Sequence, residues 1–448
     1  MALFAVAPAS GDRPPEPARR YEVSVDEALE ILRARLCFAD RAPARLAPGV
    51  PEAAVALMDA TDDAGRPIAT RRGIVETAGL PPGSCVRYRV DLGAAMRSTR
   101  FAVSAGGEHV STQGVWLWRD AGAAPPRASL RFSLPRGVVV STPWPSGPDR
   151  TLRLTQTAFT RPGFVAFGRR APRAVERAGV CARLLPLGDG WALDDDALAA
   201  WLAETIDGVA SVRGRFPVSD LLVILVPAHG DQVAFGMVRR GGGYAALYLV
   251  GRDATRETLR RSWVTWHELS HLLLPALRSR DAWLYEGLAT YYQEVLPARR
   301  GVQPPERAWA TLAEGFRRGA RSADTTPLGD ASAAMMQTRG FERVYWAGTA
   351  FALEADVALR GRGSSLDHAL RRAAPRWRGD ATIWDAERLL AALDGAAPPL
   401  LAPLGARWTA QRSFPDTDRL LRRLGVRPGD GVLEDGELAR VRDAIMAP

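Results

Sequence analysis

The residues of this chain best suited to chemistry are two histidines and a glutamate in the segment HELSH, at positions 267–271. On a helix, residues four apart share a face, so His267 and His271 could bind one metal ion at about 2.0–2.1 Å per nitrogen. Glu268 lies three residues before His271 and leans along the same face, where it can take a proton from a water at the open coordination position. This spacing predicts a zinc hydrolase with two histidine ligands and a glutamate general base.

A catalytic zinc site needs a third protein ligand and leaves a fourth position open. A short polar segment, 278–281, leads into a second helical stretch from about 282 to 296 that we expect to end at Pro297. Helices joined by so short a link pack together, so Glu286 in the first turns of the second helix can face the histidines. We expect Glu286 to be the third ligand, and Asp281 remains an alternative.

Two histidines four apart on an apolar helix are more often structural than metal-binding. The chain has only five histidines in 448 residues, however, which makes a chance HExxH rare. The segment WLYEGLATYY at 283–292 makes a chance match rarer still. The two segments together therefore favour a metal site.

HELSH followed by WLYEGLATYY resembles the gluzincin metallopeptidases, and the form EGLATYY is more similar to the glycyl aminopeptidase family than to the alanyl aminopeptidase type. The resemblance implies a thermolysin-like catalytic domain in which His267, His271 and Glu286 bind one zinc ion and Glu268 is the catalytic glutamate. It implies a peptide or protein substrate. An inactive peptide-binding relative and a zinc hydrolase of a non-peptide bond remain alternatives.

The resemblance extends to the segment RVYWAGTAFALEADVALR at 343–360, which is similar to the family's helix that carries a catalytic tyrosine. Tyr345 matches that tyrosine and would donate a hydrogen bond to the oxyanion. Ala347 stands where the family usually has a lysine. No glycine-rich carboxylate-binding signature of a PDZ domain, which many family members carry, follows in this sequence.

In gluzincin aminopeptidases the edge strand before the metal helix carries a glutamate that binds the substrate's free amino terminus. The corresponding segment here reads FGMVRR, in which Gly236 and Met237 fit the family pattern and Val238 takes the place of the glutamate. The strand's backbone can still bind an extended peptide. Arg239 or Arg240, if it faces the cleft, would favour acidic side chains or a carboxylate. An acidic residue from another loop could replace the missing glutamate.

The length of 448 residues predicts two or three domains, and the mixture of patterns predicts an α+β fold. We expect a disordered end or truncated export signal over 1–20 and a β-sandwich-like domain over 21–186. A thermolysin-like domain over 187–300 and a helical domain over 301–448, closing the cleft, complete the expected order.

Several individual elements follow from the same patterns. We expect a short helix over 25–36, a helix over 194–213, a strand over 221–227, and a hairpin whose turn is the triple glycine 241–243. Asp253 or Thr255 would cap the metal helix. Six later helices are expected at 304–319, 341–361, 364–373, 385–393, 416–424 and 436–446.

The formal charge of +9 does not indicate nucleic-acid binding, because all 59 basic residues are arginines, with no lysine, and they are scattered without a binding motif. No apolar run reaches the 18 or so residues that a membrane span needs. Three cysteines are too few for a disulfide framework, although one bridge remains open.

The absence of a carboxylate at Val238 generates a testable prediction. Because valine cannot pair with an ammonium group, hydrolysis should not require a free amino terminus. We expect N-acetylated peptides, acidic ones included, to be cleaved at least as well as matched free peptides when kcat/KM is compared. Strict dependence on the free amine would show that another residue supplies the anchor.

Overall fold

The computed structural model describes residues 17–447, except 124, 126, 148, 323, 378–381, 397 and 429. Most of the predicted tail 1–20 lies outside this part. The described chain divides into two units: the first holds the residues up to Arg169 apart from 105–108 and 141–143, and the second holds those two segments and the remainder. Among the described helices, none is both long and apolar enough to cross a membrane.

The first unit is mainly β, with a six-stranded sheet in the order β13-β11-β1-β2-β7-β4 and two four-stranded sheets in the orders β10-β3-β6-β5 and β12-β14-β9-β8. Its strands and helices are β1 (Arg19–Val25), β2 (Ile31–Phe38), β3 (Arg45–Pro48), β4 (Leu57–Asp62), β5 (Thr70–Arg71), β6 (Ile74–Glu76), β7 (Cys85–Asp91), α1 (Leu92–Ser98), β8 (Ala102–Ala105), β9 (Glu108–Thr112), β10 (Trp118–Asp120), β11 (Arg127–Ser133), β12 (Val139–Ser141), β13 (Leu152–Thr155), α2 (Gln156–Thr160) and β14 (Phe164–Gly168).

The helix predicted over 25–36 is wrong, because this segment forms the turn between β1 and β2 and most of β2. The strand ILRARLCF buries Leu32, Ala34 and Leu36 in alternation, which is the two-residue period of a strand. The turn before it is held by the Asp26 carboxylate, which accepts hydrogen bonds from the amides of Glu30 and Ile31 at 2.8 and 3.2 Å. Leu29 in this turn has a φ of 59°, which a helix does not allow.

Cys37 and Cys85 form a disulfide, so the one bridge that the sequence left open is present. The two cysteines are directly opposite each other in the antiparallel pair β2 and β7. The bridge closes a segment of 48 residues, and cross-links of that length stabilise a fold by restricting the unfolded chain. Cys181 is a free thiol.

The second unit combines a five-stranded mixed sheet, in the order β15-β16-β17-β19-β18, with helices. Its elements are β15 (Arg173–Arg177), β16 (Val180–Pro186), α3 (Asp195–Arg213), β17 (Asp220–Ala228), β18 (Val233–Arg240), β19 (Tyr244–Gly251), α4 (Arg256–Arg261), α5 (Trp263–Ser270), α6 (Ala282–Arg299), α7 (Pro305–Arg321), α8 (Leu328–Ala333), α9 (Met335–Thr338), α10 (Phe341–Arg360), α11 (Leu366–Ala373), α12 (Ala386–Asp394), α13 (Leu401–Ala410), α14 (Thr417–Arg423) and α15 (Ala439–Met446).

The predicted hairpin is confirmed, since β18 and β19 pair antiparallel around the triple glycine 241–243. Gly242 has a φ of 79°, the left-handed conformation that glycine adopts at no steric cost. β19 continues the sheet by pairing parallel with β17, and β18 is left at its edge. The hairpin therefore presents an open strand edge beside the helix that follows.

Two predictions about the metal helix and its partner are wrong in detail. Thr255 caps α4, whereas the metal helix is α5. Helix α5 begins after Ser262, whose side chain makes no capping hydrogen bond. Pro297 lies inside α6, which continues to Arg299. A proline near the end of a helix removes a single intrahelical hydrogen bond, and the last turn of α6 survives that loss.

The six helices predicted after Pro297 are present, as α7, α10, α11, α12, α14 and α15. The sequence patterns missed α8, α9 and α13. The first two have only six and four residues, too short for a clear period. The third contains Pro403 at its third position, where the proline's missing N–H would have had no intrahelical partner in any case.

Two glycines let α6 and α10 approach each other closely. A Cβ atom added at Gly287 would lie 2.2 Å from the carbonyl carbon of Gly348, and one added at Gly348 would lie 1.8 Å from the carbonyl oxygen of Trp283. The Thr349 hydroxyl donates to the carbonyl of Tyr345 in its own helix at 2.8 Å and lies 3.4 Å from the carbonyl of Gly287 across the crossing. Any larger residue at either glycine would force the helices apart.

We predict that Gly348→Ala destabilises the second unit by about 1–3 kcal/mol or more, because the new methyl group overlaps the backbone of α6. Gly361→Ala is the matched control: this glycine caps the same helix with φ −61°, and an added Cβ would be 3.5 Å from its nearest neighbour. Thermal unfolding of both variants checks the prediction. Equal melting temperatures would contradict it.

Candidate active site

Helix α5, which carries His267 and leads into His271, is fixed by contacts of residues that precede both histidines. Trp266 of α5 is buried against α3, where a Cβ atom at Gly208 would lie 2.4 Å from its ring. Its indole N–H donates to the carbonyl of Arg260 at 2.9 Å. The Arg260 guanidinium in turn pairs with Glu204 of α3 at 2.6 Å. These contacts set the position of α5 on the second unit's core.

Three side chains predicted as metal ligands meet at one point. The Oε2 atom of Glu286 lies 3.2 Å from Nε2 of His267 and 3.4 Å from Nε2 of His271. His267 lies in α5, His271 begins the 3-10 turn that follows, and Glu286 belongs to α6. Two ligands of a tetrahedral zinc ion are about 3.3–3.4 Å apart at bond lengths of roughly 2.0–2.1 Å, so the spacing fits that ion.

Burial and charge shape the protonation of this carboxylate. Burial alone would raise the pKa of Glu286, but the charge of His271 and hydrogen bonds from both histidines hold the pKa well below its usual range. The side chains of His267 and His271 are only 4% and 6% exposed. The carboxylate is therefore ionised, which is the form that binds a cation.

Glu268 also reaches the site, and its ligand atom lies within 4.8 Å of those of His267 and His271. One of its carboxylate oxygens accepts a hydrogen bond from the backbone N–H of Val238 on β18 at 2.9 Å. Gly236 leaves room for this side chain, because a Cβ atom there would lie 2.7 Å from the Glu268 Cγ. The edge strand thus holds Glu268 beside the histidines.

The distances distinguish the two glutamates. Glu286 lies within 3.4 Å of both imidazole nitrogens, whereas Glu268 is bonded to the edge strand. Asp281, the alternative ligand from the sequence, faces the backbone of Ala386, and burial raises the pKa of its carboxyl group. Glu286 is therefore placed against both imidazole nitrogens, while Glu268 is held by the edge strand.

Tyr345 lies over the first histidine. The rings of Tyr345 and His267 are stacked, with 6.0 Å between centroids and 7° between planes. Burial and the charges of Glu286 and Glu268 raise the pKa of the phenol well above its usual range. The hydroxyl consequently remains protonated and can donate a hydrogen bond. The α6–α10 crossing brings this residue of α10 beside Glu286 of α6.

A buried network behind His267 was missed by the sequence analysis. Nδ1 of His267 lies 2.9 Å from Oε1 of Gln293, and the Gln293 amide donates to Glu294 at 3.0 Å. Because the amide nitrogen is engaged by a carboxylate, Oε1 must accept a proton from Nδ1. Nε2, which donates to Glu286 in this structure, is therefore the nitrogen that would bind a metal ion after losing its proton. The spacing of seven residues from Glu286, two helical turns, is the signal that could have revealed Gln293.

The arginines after Val238 have different roles from one another. The Arg240 guanidinium donates to the carbonyl of Leu274 at 2.8 Å and to that of His271, and it lies 6.0 Å from the ring of Tyr285. The Arg240 guanidinium is thus bound to the backbone of the turn that follows α5. Side chains alternate along β18, so Arg239 and Met237 leave the opposite face from Gly236 and Arg240.

The chain resembles known proteins in its fold but not in its sequence. No known family model matches this sequence, and no curated protein sequence matches it. Solved structures do match. An aminopeptidase N family protein from Idiomarina loihiensis has a TM-score of 0.70 at 15% identity, covering 91% of this chain and 78% of that chain. An M1 zinc metallopeptidase from Deinococcus radiodurans has a TM-score of 0.52 at 18% identity, covering 89% and 94%.

These alignments span about nine-tenths of the chain and therefore include both units. The chain has the fold of the M1 zinc metallopeptidases. A mutant of the D. radiodurans protein, bound to a Tyr-Ser-Ala substrate, also matches, with a TM-score of 0.50 at 17% identity over 89% of this chain and 94% of that one. At such identities the likeness concerns the fold alone.

We predict that Gln293→Ala weakens zinc binding about 10- to 100-fold, because the orientation and tautomer of His267 lose their support. Gln232→Ala, on an exposed residue that bonds its neighbour Asp231, is the control. Competition with a chelator of known affinity measures the effect, and circular dichroism verifies that the variant is folded. A folded variant with unchanged zinc affinity would contradict this assignment.

Proposed function

We propose that this chain is a zinc-dependent peptidase that hydrolyses peptide bonds. The single observation that carries the proposal is that Glu286 lies within 3.4 Å of Nε2 of both His267 and His271, beside a second glutamate that is not needed as a ligand. The fold shared with M1 zinc metallopeptidases supports it, as does the Tyr-Ser-Ala substrate bound to one of those proteins.

The two histidines and Glu286 would hold the zinc ion. When bound, zinc would supply Lewis-acid polarisation of the scissile carbonyl and lower the pKa of the attacking water. The three protein ligands leave one tetrahedral position open, which is typical of a catalytic site rather than a structural one.

Glu268 would act as the general base and then as the general acid. It would take a proton from the attacking water and pass it to the leaving amine as the peptide bond breaks. Its hydrogen bond from Val238 at 2.9 Å holds the carboxylate in place without occupying both of its oxygens. A carboxylate with one oxygen free is able to accept that proton.

Tyr345 would stabilise the negative charge that develops on the carbonyl oxygen. Its raised pKa keeps the hydroxyl protonated, and its stacking on His267 holds it on one side of the site. A donor fixed before the reaction lowers the barrier because it does not have to reorganise.

The open edge of β18 would hold the substrate. An extended peptide can add to such an edge through backbone hydrogen bonds, which do not depend on side chains. Gly236, the residue of this strand packed closely against Glu268, brings the edge near the catalytic carboxylate. The geometry supports cleavage of an extended peptide chain.

We predict that Glu268→Gln retains zinc and lowers kcat by about 10²–10⁴-fold, because the amide cannot accept the proton. Glu257→Gln in α4, whose side chain is 51% exposed and forms ion pairs with Arg260 and Arg261, is the matched control. Zinc content by elemental analysis and turnover on a peptide library check both halves. Full turnover by zinc-loaded Glu268→Gln would exclude the proposed mechanism.

A further inference from the structure

Three side chains of Phe, Tyr or Trp are exposed in the described part of the chain. They are Phe235 at 43%, Trp263 at 55% and Phe341 at 37% exposure. Aromatic residues bury a large apolar area when a ligand covers them, so exposed aromatic residues can mark a binding site. Two of these three contact rings of the candidate active site.

Trp263 and Phe341 lie at the two ends of a row of four rings. Trp263 packs edge-on to His267 at 5.8 Å, and Phe341 packs edge-on to Tyr345 at 6.3 Å. Between them, Tyr345 and His267 are stacked at 6.0 Å. The two exposed rings therefore contact residues proposed to take part in the chemistry.

The same helical spacing produces both contacts. Trp263 is the first residue of α5 and precedes His267 by four; Phe341 is the first residue of α10 and precedes Tyr345 by four. Residues four apart share a helix face, so each aromatic ring lies on the face that carries a site residue. Phe235 differs, because it leaves the opposite face of β18 from Gly236.

The charges near this row disfavour an acidic ligand. Glu268 and Glu286 place two carboxylates beside His267 and His271, and these carboxylates would repel an acidic side chain. Arg240, the basic residue that contacts Tyr285, has its guanidinium bound to two backbone carbonyls. This removes the basis for expecting Arg240 to select acidic peptides.

We propose that the site selects peptides with a large apolar or aromatic side chain next to the cleaved bond, and that Trp263 and Phe341 are the specificity-determining residues. The inference rests on the proposed peptidase function. A substrate lying across His267 and Tyr345 covers one or both exposed rings with its neighbouring side chains, which removes apolar surface from water.

The test uses matched peptides that differ only in the residue on each side of the cleaved bond: Phe, Leu, Ala or Asp. We expect the wild-type enzyme to favour Phe and Leu over Ala and Asp about tenfold or more in kcat/KM. Trp263→Ala or Phe341→Ala should reduce the ratio of Phe to Ala peptide about tenfold. Phe235→Ala, an equally exposed aromatic residue on the other strand face, should leave this ratio unchanged.

The outcomes separate the two proposals. Equal kcat/KM for all peptides, with ratios unaffected by either variant, would overturn the specificity inference while the peptidase function stands. Failure of the zinc-loaded enzyme to cleave any peptide would overturn the function. In that case the dissociation constants of the Phe and Ala peptides, measured by calorimetry with zinc-loaded Glu268→Gln, still decide the inference, since equal values would refute it.

Discussion

A largely buried carboxylate that lies within 3.4 Å of two buried imidazole nitrogens imposes the main constraint on this structure. Removing an ionised group from water is costly unless a partner compensates the charge, so Glu286 is stable there only with cationic neighbours or a metal ion. The three groups come from two segments, the end of α5 and the start of α6. The rest of the second unit must therefore hold these segments in one relative position.

The crossing of α6 and α10 meets this requirement from one side. Gly287 follows the proposed ligand Glu286 directly, and Gly348 is one helical turn from Tyr345, so the closest backbone approach occurs beside both side chains. Further along the same helices, the hydroxyl of Tyr291 donates to the buried carboxylate of Asp356 at 2.8 Å. A glycine contact at one end and a buried hydrogen bond at the other fix both the distance and the rotation of the pair.

The two histidines are supported by different interactions. His267 is held through Nδ1 by Gln293, whereas Nδ1 of His271 is buried and has no hydrogen-bond partner among the described residues. His271 is instead stacked against Tyr285 at 4.1 Å, and its backbone carbonyl accepts from Arg240. Arg240 thus links the edge strand to the turn that carries the second histidine. The strand that would bind the substrate and the helix that would bind the metal are mechanically connected through this side chain.

The sequence by itself determined the elements whose signals are local. Helical spacing placed His267 and His271 on one face, the short link brought Glu286 toward them, and the triple glycine marked the hairpin. Tertiary structure decided the rest. The segment 25–36 became a turn and strand because Asp26 caps the turn and β2 pairs with two neighbours. Likewise, Gln293 and Arg240 gained their roles from residues 26 and 31–34 positions away. Periodicity reports which face a residue occupies, but a hydrogen bond between distant segments depends on how those segments pack.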